Sequence, residues 1–127
     1  MLREIFVVGV GGFCGAVARY WLSGWAQRLA GNAFPLGTWL VNILGCLALG
    51  ALIGAADSRL ILSAEARLFL AVGVLGSLTT FSTFSFETVE LLRGSQFGPA
   101  LANVAGNLIV GCAALVLGRL LVRWALA

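Results

Sequence analysis

Four long runs of hydrophobic residues, separated by short polar stretches, make up most of this chain. The runs cover residues 5–25, 36–56, 68–92 and 100–122. A helix needs roughly 20 mostly apolar residues to cross a bilayer, and each run reaches that length. The pattern predicts an all-α membrane protein in which residues 1–127 form a single transmembrane domain of four helices.

The third run is interrupted by a stretch that is too polar for its surroundings, between Gly73 and Glu87. A membrane helix carries a polar cluster of this kind for packing or for the passage of a solute. Six hydroxyl side chains alternate there with three phenylalanines: Ser77, Thr79, Thr80, Ser82, Thr83 and Ser85, with Phe81, Phe84 and Phe86.

The same stretch has a weak tendency to form a helix. Residues 79–85 are β-branched, aromatic or hydroxyl-bearing, which are poor helix formers, and Gly73 and Gly76 lie just before them. We therefore expect the third helix to be broken near mid-membrane. A break frees backbone N–H and carbonyl groups that an ion, water or a neighbouring side chain must satisfy.

After such a break, two pairs of residues would share neighbouring helix faces: Phe81 with Phe84, and Ser82 with Ser85. Hydroxyls donate hydrogen bonds and aromatic ring edges are electropositive, so this surface offers several weak donors to a dehydrating anion. The alternative is that each hydroxyl bonds a carbonyl one turn earlier in its own helix while the rings simply pack.

Polar side chains in the other runs also need partners inside a membrane. Asn42 is either a contact between helices or a pore-lining amide that donates two hydrogen bonds to an anion. Asn103 and Asn107 lie on one helix face, which we expect to meet the polar face of the third run. Arg19 either extends its charge to the membrane surface or attracts anions to a water-filled vestibule.

Small residues predict where helices approach closely. Gly11 and Gly15 in the first run have the spacing that brings two membrane helices together. Gly45, Gly50 and Gly54 repeat the pattern in the second run.

Composition agrees with a membrane protein and excludes several other classes. Of the residues, 61% are hydrophobic and 10% are charged, and the mean hydropathy is +1.04, which is outside the range of soluble domains. The net charge of +3 comes from arginines in the loops and does not indicate a nucleic-acid partner.

The first run lacks the cleavage site of a signal peptide. Histidine is absent, and Cys14, Cys46 and Cys112 stand singly in three runs, as packing residues would.

The arginines give only a weak preference for one orientation in the membrane. Five would lie on the side of the termini and three on the other side, and this distribution normally sets the topology. Such a chain can insert in both orientations, and two opposed copies could form a homodimer around a two-fold axis in the membrane plane. The two groups are Arg3, Arg59, Arg67, Arg119 and Arg123, against Arg19, Arg28 and Arg93.

Three motifs resemble those of the Fluc (CrcB) family of fluoride channels, and the resemblance extends over essentially the whole chain. The most specific is the third. The motifs are Gly11-Gly12-x-x-Gly15-Ala16-x-x-Arg19-Tyr20, Gly37-Thr38-x-x-Val41-Asn42-x-x-Gly45, and Thr79-Thr80-Phe81-Ser82-Thr83-Phe84-Ser85-x-Glu87.

The resemblance implies a passive fluoride channel that exports fluoride across the plasma membrane, with lipid around it. It also implies an antiparallel homodimer with two pores and a structural sodium ion bound by the backbone carbonyls of Gly76 and Thr79. Arg19 would lie near a vestibule. The chain departs from the family at Ser77, where a glycine is often found, and at Asn107, where a serine is common. The implied fluoride pathway comprises Asn42, Thr80, Phe81, Ser82, Phe84, Ser85 and Asn107.

Other functions fit the sequence less well. A small multidrug-type proton-coupled antiporter also has four short helices, but it needs a membrane-embedded carboxylate, and the first run has none beyond Glu4. A structural membrane subunit that transports nothing remains an alternative. An intramembrane enzyme is the weakest hypothesis, because the chain has no histidine, no paired intramembrane carboxylates and no metal-ligand spacing.

Overall fold

Four helices of the computed structural model are long and apolar enough to cross a membrane. The structure describes residues 1–31, 33–58 and 62–126, and within these ranges every regular element is helical. The four spans are Leu2–Ala30, Leu36–Asp57, Ala64–Arg93 and Phe97–Ala125. The predicted all-α architecture of four membrane helices is confirmed. The helices extend a few residues past most of the predicted ends, because a hydrophobic run marks only the part of a helix that crosses the hydrocarbon.

The first two spans are single helices, whereas the third and fourth are composite. Helix α1 covers Leu2–Ala30 and α2 covers Leu36–Asp57. Two π-helical segments, which the sequence pattern did not predict, interrupt the later spans. The third span consists of α3 (Ala64–Arg67), a first π-helical segment (Leu68–Leu75), α4 (Gly76–Leu78) and α5 (Phe81–Arg93), and the fourth of α6 (Phe97–Ala105), a second π-helical segment (Gly106–Val110) and α7 (Gly111–Ala125).

The third span loses its helical backbone at two residues. Thr79 (φ −83°, ψ 153°) and Thr80 (φ −149°, ψ 114°) are extended. The helix resumes at Phe81 because Thr80 caps it: the Thr80 Oγ1 accepts the Thr83 N–H at 3.2 Å. A threonine in this position satisfies one of the N–H groups that a helix start leaves unpaired. The irregular segment is therefore shorter than the polar stretch from 79 to 85.

Glycines set the helix packing, as their spacing predicted. A Cβ atom at Gly15 would collide with the carbonyl of Val74 in the first π-helical segment. In the same way, a Cβ at Gly50 of α2 would collide with the carbonyl of Leu115 in α7. The backbones can approach this closely only because the side chains are absent.

Two ion pairs mark one end of the bundle. Arg3 contacts Glu65 at 2.9 Å, and Arg119 contacts Asp57 at 2.7 Å. The start of α1, the end of α2, helix α3 and the later part of α7 therefore lie at the same end of the bundle, as an even number of spans requires. Arg59, which the sequence assigned to this side, lies outside the described residues.

Candidate functional site

The side-chain amide of Asn42 holds the interrupted backbone. Its Oδ1 accepts the N–H of Thr80 at 2.8 Å, and its Nδ2 donates to the carbonyl of the same residue at 3.2 Å. A second Nδ2 bond, 2.8 Å long, reaches Oδ1 of Asn107. Both amide hydrogens of Asn42 therefore have acceptors within the protein, so this residue joins α2 to the third span and to the fourth.

These contacts redirect two N–H groups that a continuous helix would use. In an unbroken helix, the N–H of Thr80 would bond the carbonyl of Gly76, and the N–H of Thr83 would bond that of Thr79. Here the Thr80 N–H goes to Asn42, and the Thr83 N–H goes to the Thr80 hydroxyl. The carbonyls of Gly76 and Thr79 are thus deprived of their helical donors.

A cavity of about 310 Å³ lies beside the break. Phe81 and Phe84 line it with ring centroids 5.4 Å apart and ring planes inclined by 53°. Phe84 is buried, whereas Phe81 is 75% exposed in the single chain. The predicted site residues that line this cavity are Asn42, Gly76, Thr79, Thr80, Phe81, Phe84 and Asn107.

Two hydroxyl groups of the stretch bond carbonyls one turn earlier, as the second sequence alternative expects, and two others bond neighbouring hydroxyls. Thr79 and Ser85 donate to carbonyls one turn earlier, at 3.0 and 2.9 Å. Thr80 instead donates to the Thr83 hydroxyl at 3.0 Å. Because that bond uses the only proton of the Thr80 hydroxyl, Ser82 is the donor in its 3.3 Å contact with Thr80. Ser82 and Ser85 do not line the first cavity.

Arg19 lines a second cavity of about 240 Å³, together with residues of α1, α2 and the third span. Thr80 lines both cavities, so both lie against the interrupted segment. Thr38 and Thr83 also line the second cavity.

Thr38 donates to Glu87 Oε1 at 2.7 Å, and the other oxygen of that carboxylate is buried without a hydrogen-bond partner among the described residues.

Sequence analysis gave no individual role to Thr38 or Thr83, which line the second cavity, and it did not mention Thr88, which lines neither cavity. Thr88 accepts a hydrogen bond from Asn103 at 3.0 Å and so joins α5 to α6. The sequence feature that could have identified these residues is a hydroxyl side chain within an otherwise apolar run, because such a group needs a hydrogen-bond partner in a membrane. The expected meeting of the Asn103 and Asn107 face with the third span is confirmed by this bond.

The described residues contain no group of three or more His, Cys, Asp or Glu side chains that could hold a metal ion. Backbone carbonyls can also bind a metal ion, because hard cations prefer oxygen donors. The carbonyls of Gly76 and Thr79 fit such an ion, because their helical donors are engaged elsewhere.

The sequence of this chain is similar to those of known membrane proteins. The family described as "CrcB-like protein, Camphor Resistance (CrcB)" matches residues 6–119. The chain is 47% identical to the "Fluoride-specific ion channel FluC 1" of Moorella thermoacetica, over 89% of this chain and 84% of that protein. It is 39% identical to the "Fluoride-specific ion channel FluC" of Chloroflexus aurantiacus, over 97% and 98% of the two chains. Its identity to the protein of the same name from Nitratidesulfovibrio vulgaris is 42%, over 92% and 94%.

These matches cover nearly all of the residues that form the spans, the break and both cavities. The chain belongs to the CrcB family.

Proposed function

We propose that this protein is a fluoride channel of the plasma membrane, which lets fluoride leave the cytoplasm down its electrochemical gradient. The observation that carries the proposal is the cavity at the break, where two phenylalanine rings and polar groups converge. Relatives that match almost the whole chain are named as fluoride-specific channels. Passage of an ion requires no covalent chemistry.

The break supplies donors suited to a strongly hydrated anion. Fluoride must exchange its water for hydrogen-bond donors, and the edges of Phe81 and Phe84 are electropositive. The first N–H groups of α5, on Phe81 and Ser82, have no partner within the helix. The positive end of the α5 dipole adds to their attraction for an anion. None of these groups carries a full charge that would trap the ion.

We assign the ion pathway to Asn42, Phe81 and Phe84 at its centre. Since both hydrogens of Asn42 already have acceptors, a fluoride ion beside this amide would replace either the carbonyl of Thr80 or the amide oxygen of Asn107. The remaining proposed pathway residues are Thr80, Ser82, Ser85 and Asn107.

The second cavity is the proposed vestibule. Arg19 contributes a positive charge there, and Tyr20, Ser23 and Thr83 add polar groups. A positively charged lining of this kind raises the local concentration of anions before they reach the break.

A sodium ion at the carbonyls of Gly76 and Thr79 is a separate proposal. When bound, it would compensate the partial negative charge of the carbonyls that end α4. The protein's own contribution is to keep the N–H groups of Thr80 and Thr83 away from these oxygens. The hydroxyl of Thr79 donates to Leu75, so its backbone carbonyl is the ligand we assign.

We also propose an antiparallel homodimer. The first cavity opens on the surface of the single chain, and Phe81 is largely exposed there. Polar backbone facing lipid costs several kcal/mol for each unsatisfied group, so the opening needs a cover. A second copy is the occupant we favour, and the weak arginine bias allows it to insert in the opposite orientation.

Efflux from liposomes tests the channel proposal. Purified protein is reconstituted into vesicles that hold potassium fluoride or potassium chloride, with valinomycin to carry the compensating potassium current. An ion-selective electrode then measures release. Rapid fluoride release without chloride release is the expected result. Equal release of both anions, or release no faster than from protein-free vesicles, would contradict the proposal.

A further inference from the structure

Asn103, which lines neither of the two cavities at the break, is among the most deeply buried side chains in the described part of the chain. It lies in α6 with 0% of its surface exposed. A primary amide in such surroundings must have its donors and acceptor engaged, because an unpaired buried polar group is costly. Its partners connect it to the break.

The direction of each hydrogen bond follows from Thr88. The hydroxyl proton of Thr88 goes to the carbonyl of Phe84 at 2.8 Å. The Thr88 oxygen can then only accept, so the NH₂ group of Asn103 faces it, at 3.0 Å. The Oδ1 of Asn103 therefore points the other way and accepts from Asn107 Nδ2 at 3.0 Å.

The same logic continues from Asn107 to the backbone break. Its NH₂ group also donates to the backbone carbonyl of Asn103 at 3.0 Å, which leaves Oδ1 to accept from Asn42. The Asn42 Oδ1 must then face the N–H of Thr80, as observed. Asn42, Asn103, Asn107 and Thr88 form what we call the amide relay. Both of its ends are backbone groups of the third span, so every amide orientation is consistent with its neighbours.

We infer that Asn103 is a positioning residue. It holds Asn42 against Thr80 through Asn107 and thereby keeps the helix of the third span interrupted at Thr80. This inference deepens the proposed function and rests on it for the expected effect on fluoride. If the relay is cut, Asn107 is held less firmly in the orientation that presents its Oδ1 to Asn42. The N–H of Thr80 is then freer to return to the carbonyl of Gly76, as in a continuous helix.

Two substitutions cut the relay at different points. Thr88→Val removes the hydroxyl and keeps the shape of the side chain, whereas the matched control Thr88→Ser keeps the hydroxyl. Asn103→Leu removes the amide itself. A single hydrogen bond contributes modestly in net terms, so we expect Thr88→Val and Asn103→Leu to slow fluoride release by roughly threefold to tenfold. Thr88→Ser should release fluoride at nearly the wild-type rate.

The decisive readout is hydrogen exchange at the backbone amide of Thr80, measured on the purified full chain. Thr88→Val and Asn103→Leu should speed exchange at Thr80 by a similar factor, while amides in the middle of α2 keep their wild-type rates. In the double variant the effect should not exceed that of Asn103→Leu alone, because both changes cut the same chain. A purely structural loss would instead speed exchange throughout the bundle.

The outcomes separate the two proposals. Unchanged Thr80 exchange in both cutting variants would overturn the relay, whatever the fluoride flux. If the wild-type protein released no fluoride, the channel proposal would fail, yet the exchange comparison would still decide whether Asn103 holds the break. Should Asn103→Leu fail to fold, Thr88→Val against Thr88→Ser tests the same connection.

Discussion

The side chain of Asn42 accepts the N–H of Thr80, which therefore leaves the helical pattern, and it also donates to the carbonyl of that residue, at 2.8 and 3.2 Å. A primary amide can do this because it has the same donor and acceptor groups as a peptide bond. The extended conformation of Thr80 is thus stabilised from α2, and the carbonyl of Gly76 is left without its helical donor.

The first prediction concerns Asn42→Asp. The carboxylate would place negative oxygens against two acceptors, the Thr80 carbonyl and Oδ1 of Asn107, and a negative charge in the proposed anion path. We expect fluoride release to be lost and the free energy of unfolding to fall by about 1–3 kcal/mol. Liposome efflux and thermal unfolding in detergent measure the two effects. Fluoride release at the wild-type rate would remove Asn42 from the pathway.

The second prediction concerns the phenylalanine rings. Replacing Phe81 or Phe84 by isoleucine keeps an apolar side chain but removes the electropositive ring edge. Fluoride release should fall by at least about tenfold, which corresponds to about 1.4 kcal/mol in the barrier. Gel filtration should still detect the same assembly as for the wild-type protein. Phe86→Ile is the matched control, since Phe86 does not line the cavity at the break, and unchanged flux in the Phe81 and Phe84 variants would refute the aromatic role.

Close helix packing leads to the third prediction. Gly50→Ala would force a Cβ against the carbonyl of Leu115, and the backbone of α7 cannot move aside as a flexible side chain could. Overpacking of this kind costs about 1–3 kcal/mol, so the midpoint of thermal unfolding in detergent should fall. Gly98→Ala is the control, because a Cβ there has no neighbour within 4 Å. Equal midpoints for the two variants would contradict the packing described for α2 and α7.

The fourth prediction concerns the proposed sodium site. If carbonyls of Gly76 and Thr79 bind sodium only in the folded state, raising its concentration tenfold above the dissociation constant should stabilise the protein by about 1.4 kcal/mol. Thermal unfolding at constant ionic strength, with sodium replaced by lithium, potassium or N-methylglucamine, measures this. Midpoints that are the same with all four cations would rule out a selective sodium site.

The fifth prediction tests the antiparallel dimer. Replacing Arg28 and Arg93 by glutamine strengthens the arginine excess on the side of the termini, which should fix one orientation. This variant alone should form few functional dimers and release little fluoride. Co-expression with a second variant of opposite arginine bias should restore release. That variant carries glutamine in place of Arg3, Arg67 and Arg123 and arginine in place of Gln27 and Gln96. Full activity of the first variant alone would contradict a requirement for opposed subunits.

Local sequence properties account for much of the fold. The lengths of the four hydrophobic runs predicted the spans, since the thickness of the bilayer sets how many apolar residues a helix needs. The glycines at 11, 15, 50 and 54 predicted close contacts, because a missing side chain is a property of the residue itself. The poor helix formers after Leu78 indicated an irregular segment, although only Thr79 and Thr80 are extended.

The pairing of polar groups could be decided only by the tertiary structure. The sequence by itself determined that Asn42, Asn103 and Asn107 need partners in an apolar environment. Which partner each one finds depends on how α2, α5, α6 and the second π-helical segment pack, and these pairs are up to 65 positions apart in the chain. Hydrogen bonds act over about 3 Å, so the Asn42 contact with Thr80 and the burial of Asn103 follow from the folded arrangement of helices and from no local pattern.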